Sequence, residues 1–290
     1  MINKLCIIGI GLIGSSIARA ARKQGLCREI VAFGRFDDVE NLKKAVQLGV
    51  VDSFYTDIEA AVEQADYVII ATPVGAVENI FKLLKPLWNE QTVYSDVCST
   101  KGSVVAAANA VFKQVPANFV PAHPIAGAEN SGVEAGDDSL FLNKRLIVTP
   151  LASTSKTALD KIVHFWTDLG AEVSEMTVEH HDKVLAATSH LPHILAFALV
   201  DLLGKKNETE EIFKYAAGGF KDFTRIASSD PTMWQDICLA NKQEIIPLIQ
   251  QLQTELGNLQ QMLEHDQGQQ LFNTFTYARN ARQRFLEQSK

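Results

Sequence analysis

Short runs of branched and aromatic residues recur through the first half of the chain, each followed by turn or cap residues. Leu5 to Ile8, Glu29 to Phe33, Tyr67 to Ala71, Thr92 to Asp96, Asn118 to Pro121 and Arg145 to Thr149 are of this kind and read as strands. Between them the apolar positions take helical spacing, as over Leu12 to Lys23. Alternating strands and helices build a parallel sheet covered on both faces. A helix with Ser153 or Thr154 near its cap and a last strand, Ala171 to Met176, close this half.

From Thr177 onward the apolar residues keep helical spacings, punctuated by Gly204, the Gly218-Gly219 pair and Pro231. The expected architecture is α/β: a doubly wound parallel sheet over 1–176, then an all-helical second domain over 177–290. Ile245, Ile249, Leu252, Leu256, Leu259 and Leu263 form a heptad seam too short to specify a coiled coil. It serves either a bundle core or a subunit interface, and a homodimer through the helical domain is the expected assembly.

Composition narrows the partners. The chain has 290 residues, 47% of them apolar, and a net charge of −7, which disfavours nucleic acid. The apolar run Ile194 to Val200 stops at Asp201, short of the ~20 residues that cross a bilayer, so no membrane span is expected. The N-terminus lacks the pattern of a secretory signal. Cys6, Cys27, Cys98 and Cys238 are scattered without metal or disulfide spacing. The chain reads as cytoplasmic, with reduced thiols and no metal.

Gly9, Gly11 and Gly14 follow a predicted strand and open a predicted helix. In that context they form a dinucleotide fingerprint of the Rossmann type: a tight turn, close approach to a pyrophosphate, and close helix packing around Leu12 and Ile13. Where an NAD site places an acidic residue after the second strand, the chain has Gly34-Arg35. Arg35 suits a 2′-phosphate, so NADP is the preferred cofactor, with NAD kept open by the nearby Asp37 and Asp38. Thr72-Pro73 and the segment Ser95 to Lys101, which carries Ser99, leave the carboxyl edge of the sheet, where ligands of such folds bind.

His123 stands before Pro124, which restricts its backbone to extended conformations. A histidine with an ordinary pKa of ~6.5 is mostly neutral at pH 7 and can accept a hydroxyl proton; a buried histidine satisfied by backbone is the competing reading. His180, His181, His190 and His193 gather within a short stretch without the His-Glu-x-x-His pattern of a zinc site. They read as the polar lining of a cleft. Arg225 has the planar fork that clamps a carboxylate, or it pairs with Asp222 on an exposed helix. Trp234 reads as core.

Taken together, Gly9-Ile-Gly-Leu-Ile-Gly14, Asp96-Val-Cys-Ser-Thr-Lys101, His123-Pro-Ile-Ala-Gly127 with Glu129, Ser189-His-Leu-Pro-His193, and Gly219-Phe-Lys-Asp-Phe-Thr-Arg225 through Trp234 resemble the prephenate/arogenate dehydrogenase family of tyrosine biosynthesis. The resemblance implies oxidative decarboxylation of an anionic cyclohexadienyl acid with hydride transfer to NAD(P). It makes His123 the base for the ring hydroxyl and Ser99 the group that orients it. Arg225 would hold the side-chain carboxylate, Ser189, His181, His190 and His193 complete the pocket, and Glu129 and Asp222 stand at its mouth. The sequence departs from the family pattern at Gly34-Arg35 and at Cys98, where glycine is common, and no fused regulatory or mutase domain is expected. The rival readings are another two-domain NAD(P) reductase and a dinucleotide-sensing interaction protein.

Overall fold

Leu5, Cys6, Ile7 and Ile8 are all shut off from solvent, although neighbouring side chains of a strand point to opposite faces. Leu5 and Ile7 join one hydrophobic cluster with Ile69 and Trp166, while Cys6 and Ile8 join another with Ile70 and Phe81. This is the burial of a strand covered on both sides.

The computed structural model describes residues 1–128, 130–206 and 209–288. Its strands are β1 Ile2–Ile8, β2 Cys27–Phe33, β3 Ser53–Tyr55, β4 Tyr67–Ile70, β5 Val93–Asp96, β6 Phe119–Val120, β7 Ala122–Pro124, β8 Arg145–Val148 and β9 Glu172–Glu175. Its helices are α1 Leu12–Lys23, α2 Val39–Gln47, α3 Ile58–Val62, α4 Val77–Leu84, α5 Gly102–Phe112, α6 Lys156–Asp168, α7 Val178–Leu185, α8 Leu191–Gly204, α9 Thr209–Lys214, α10 Gly218–Thr224, α11 Pro231–Ala240, α12 Lys242–Glu264 and α13 Gly268–Gln288. Among the described residues, no strand follows β9.

Six parallel strands lie in the order β3-β2-β1-β4-β5-β6, the doubly wound arrangement expected. Two features differ from the sequence reading. β3, a three-residue edge strand, went unread, and Arg145 to Thr149 does not join the parallel sheet. It forms β8 of a second sheet, β7-β8-β9, antiparallel to β7, with His123 opposite Ile147. The chain changes sheets at Pro121, which has no N–H to offer a ladder; its carbonyl accepts from Thr149 N–H at 2.9 Å. His123 therefore sits in the middle of a short strand. The N-cap of α6 is Ser155, next to Thr154, whose Oγ1 accepts from Leu151 N–H.

The contacts divide the chain into two compact units, Met1–Lys242 and Gln243–Lys290. After β9 the described elements are helices, and α7 and α11 pack on the sheet-bearing part, so the contact boundary falls after Lys242. The second unit holds α13 and all but the first residue of α12. Through a π-turn at Ala186–His190, α7 and α8 join into one helical run, Val178–Gly204, long and apolar enough to cross a membrane by length and composition. The sequence reading found no such stretch because Asp201 and the histidines interrupt its apolar runs. The polar side chains His181, Asp182 and His190 on this run bond to other elements of the first unit.

Gly14 must lack a side chain, since a Cβ there would lie 2.1 Å from the Gly9 carbonyl oxygen, whereas a Cβ on Gly11 would meet nothing within 4 Å. Gly14→Ala is expected to cost about 1–3 kcal/mol and to lower Tm by several degrees. Gly11→Ala is expected to leave Tm unchanged, as read by thermal unfolding followed with circular dichroism.

Candidate functional site

Chain order reverses between β1 and β4, whose successors run to opposite sides of the sheet, and this opens a crevice at the carboxyl ends of the two strands. Gly9, at φ 95°, makes the turn out of β1, and Gly11 is the N-cap of α1 with no side-chain cap of its own. Among the described residues, the first N–H groups of α1 have no side-chain acceptor at the positive end of a helix, beside the open space at Gly11. Thr72 Oγ1, at the end of β4, is buried without a hydrogen-bond partner among the described residues. These features fit a diphosphate on Gly9 to Gly14, Leu12 and Ile13 included, with Thr72 and Pro73 on the opposite wall. Arg35 lies beyond β2, mostly exposed, with Nε 3.1 Å from Asp37 Oδ1.

β7 and α7 bring a chain of polar side chains to the same edge. His123 Nδ1 lies 2.9 Å from His181 Nε2, and His181 Nδ1 lies 2.8 Å from Asp182 Oδ1. A carboxylate only accepts, so His181 donates from Nδ1 and keeps a lone pair on Nε2. His123 must then donate from Nδ1, which leaves its own Nε2 as an unprotonated acceptor. The mirror-image assignment holds at His190. Asn241 Nδ2 donates to the Asp182 carbonyl at 2.9 Å and to His190 Nδ1 at 3.1 Å, so His190 carries its proton on Nε2, which is buried and has no partner among the described residues. One imidazole offers a lone pair and another offers a proton.

The π-turn sets this arrangement. Nine positions separate His181 from His190, and at about 100° per residue a regular helix would turn them to opposite faces; the wider π-turn between them corrects the phase. His193 donates from Nδ1 to the Ser189 carbonyl at 2.9 Å and stacks on Trp234, ring centroids 3.7 Å apart. α11, which carries Trp234, also reaches the loop after Pro73, where Asp236 Oδ2 accepts from Gly75 N–H at 3.2 Å.

Burial keeps the imidazoles neutral. Desolvation pushes His123 well below the ordinary histidine value, helped by His181, Lys101 and His190. Desolvation lowers His181 too, against the opposing pull of Asp182. His190 falls to about 4 by desolvation, and His193 is lowered first by desolvation and then by the nearby Arg225 cation. Beneath them Lys101 Nζ, fully buried, pairs with Asp96 and donates to the Ala122 carbonyl at 2.7 Å, tying the end of β5 to β7.

His123, His181, His190 and His193 are thus brought together, with Ser189 contributing its backbone carbonyl. Arg225 is exposed but near enough to His193 to act on its charge. Ser99 is half-buried on the loop after β5 and makes no hydrogen bond among the described residues; the partner of His123 Nδ1 is His181. Cys98 on the same loop is buried, and its N–H donates to Asp96 Oδ2 at 2.9 Å. Asp222 is exposed on α10, and Glu129 lies outside the described residues. The sequence carries no signal for the roles of Asp182 and Asn241 or for the pairing of Lys101 with Asp96, while Trp234 is buried as expected and also stacks on His193. No group of three or more His, Cys, Asp or Glu side chains among the described residues is placed to hold a metal ion.

Two family models cover the chain: the nucleotide-binding domain of prephenate dehydrogenase over residues 17–175, and its dimerization domain over 177–277. The chain belongs to the prephenate dehydrogenase family. A cyclohexadienyl dehydrogenase of Zymomonas mobilis is 35% identical over 283 residues, covering 96% of this chain and 94% of that one. A prephenate dehydrogenase of Bacillus subtilis is 36% identical over 290 residues, 97% of this chain and 76% of that one. The crystal structure of Aquifex aeolicus prephenate dehydrogenase with hydroxyphenyl propionate and NAD+ superposes with a TM-score of 0.90 at 35% identity, covering 98% of this chain and 99% of that one. Family membership makes the chain a dehydrogenase that uses a nicotinamide dinucleotide, in keeping with the crevice at Gly11.

The depressed histidines carry a stability consequence for this family member. The unfolded chain binds protons near pH 6.5 that the folded chain refuses down to about pH 4 at His190, so stability falls as pH drops through that window. From His190 alone, about 2 kcal/mol is expected to be lost between pH 7 and pH 5. Urea midpoints across this range check it, and an unchanged midpoint contradicts it.

Proposed function

We propose that the chain oxidatively decarboxylates prephenate to 4-hydroxyphenylpyruvate in tyrosine biosynthesis, and we keep arogenate, with an amino group in place of the keto group, as the alternative substrate. The observation that carries this reading is the contact of buried His123, through Nδ1, with His181 Nε2 at 2.9 Å at the carboxyl edge of the sheet, which leaves Nε2 as the acceptor. Nε2 takes the ring hydroxyl proton as the C–O bond gains double-bond character, and returns it to oxygen when the ring becomes aromatic. The nicotinamide, when bound, supplies the acceptor for the hydride on the hydroxyl-bearing carbon. The ring carboxylate leaves as CO2, and its bonding electrons complete the aromatic system. His190 donates from Nε2 to a substrate oxygen, Arg225 clamps the side-chain carboxylate, and Ser99 orients the hydroxyl. Glu129 and Asp222 are assigned to the mouth.

For the cofactor we favour NADP over NAD. Support comes from Arg35 at the end of β2, where its guanidinium is mostly exposed and turns from Asp37 to a 2′-phosphate by side-chain rotation. The four unpaired cysteines suit the cytoplasm, where we place the enzyme.

A homodimer follows from surface that one copy leaves uncovered. α8 is apolar on every side yet half-buried, with Leu202 60% exposed, and helices of that kind are normally enclosed. In the second unit, Leu256 and Leu263 of the heptad seam and Phe272, Phe275 and Phe285 of α13 are exposed. The dimerization description of the matching family model agrees. Light scattering at micromolar concentration is expected to give a dimer, and a monomer there removes this assembly.

A kcat/KM matrix of prephenate and arogenate against NADP and NAD tests the reaction. Wild type is expected to form 4-hydroxyphenylpyruvate, and His123→Asn to lose on the order of 10²–10⁴-fold in kcat. Undiminished product from His123→Asn overturns the mechanism. Binding without turnover of either substrate would favour the sensing reading. Arg35→Ala is expected to shift the NADP/NAD ratio roughly tenfold toward NAD, and an unchanged ratio removes the NADP preference.

A further inference from the structure

Asp182 lies on α7 beside His181, outside the fingerprint and pocket motifs, and its carboxylate is among the most heavily bonded groups of the first unit. Oδ1 accepts from Lys101 N–H at 2.8 Å and lies 2.8 Å from His181 Nδ1, while Oδ2 accepts from Gly102 N–H at 2.8 Å. Lys101 and Gly102 open α5, which has no side-chain cap and no acidic residue in its first turn. The cap comes instead from another helix, with the carboxylate set against the positive end of α5. Gly102 is shaped to this contact, since a Cβ there would stand 2.8 Å from Asp182 Oδ2. Burial opposes ionisation of Asp182, but the bonds from His181, Lys101 and Gly102 hold the carboxyl below its ordinary range.

We infer that Asp182 is a positioning residue for the reaction: seated on the amino end of α5, its carboxylate holds the His181 proton on Nδ1 and, through His181, keeps the lone pair of His123 on Nε2. The inference rests on His123 acting as the base, as proposed above. An N-cap alone would need only the two N–H bonds to α5. The third bond, to His181, extends the group to His123 and explains why a carboxylate occupies the position where serine or asparagine also caps. The charged and titratable groups around the pair are Lys101 and Asp96 beneath it, His190 from the end of the π-turn, and Asp182 itself. Because α5 follows the Ser99 loop, the same carboxylate fixes that loop relative to the base.

Asp182→Asn tests this in the full-length enzyme. A fall in kcat on the order of 10²-fold is expected, with KM for substrate and cofactor within about threefold. The acid limb of kcat/KM is expected at lower pH, because a negative charge that favours the His123 imidazolium has gone. In a His123→Asn background the same change is expected to add little, since the two act as one unit. Unchanged kcat and pH profile with a lowered Tm reduce Asp182 to a helix cap and overturn the inference, while an inactive His123→Asn keeps the base reading intact. An active His123→Asn removes both. If Asp182→Asn does not fold, ring-15N NMR of the wild type decides: protons on Nδ1 of both His123 and His181 support the inference, and a proton on Nε2 of neutral His123 overturns it.

Discussion

Burial strips water from His123, and the lost hydration is what chiefly keeps its imidazole neutral. Lys101 stands close enough to oppose a second positive charge, and His181 and His190 are themselves held neutral. Neutrality alone leaves the proton free to sit on either nitrogen. The hydrogen bond to His181, ordered in turn by Asp182, removes that freedom. The rest of the molecule can be understood as what is needed to bring this one side chain, in this tautomer, to the carboxyl edge of a parallel sheet.

The backbone does so by leaving one sheet for another. Pro121 ends the pairing of β6, and β7 turns to face β8, so His123 projects from a strand that is fastened at both ends. Beneath it the fully buried Lys101–Asp96 pair bridges β5 and the Ala122 carbonyl. Such a pair adds little over apolar packing, but removing one member strands the other at a cost of roughly 3–5 kcal/mol. The pair therefore specifies geometry more than it stabilises the fold. The imidazoles of His181 and His190 share a face only because the π-turn corrects their phase.

Much of this was legible in local sequence. The fingerprint at Gly9 to Gly14 carries its own context of strand and helix, and Pro124 beside His123 marks an aimed side chain. What escaped depends on distance along the chain. Asp182 acts on residues eighty or so positions earlier, and Asn241 on residues fifty or more earlier; no periodicity announces either. β3 is three half-buried residues at a sheet edge, too short for a pattern. The change of sheets did have a signal in Pro121, since a proline in an apolar run argues against a central strand. Trp234 is core as its sequence suggests, and its second role, stacking on His193, has no sequence signature of its own.

The pH dependence of kcat/KM tests the central claim most directly, because it reports ionisations of the free enzyme. A buried, neutral His123 predicts activity that holds constant on acidification through pH 6.5 and fails only at lower pH, with that limb absent from the residual activity of His123→Asn. An acid limb above pH 6.5 that belongs to His123 would mean the imidazole is charged in the resting enzyme, and would contradict the account.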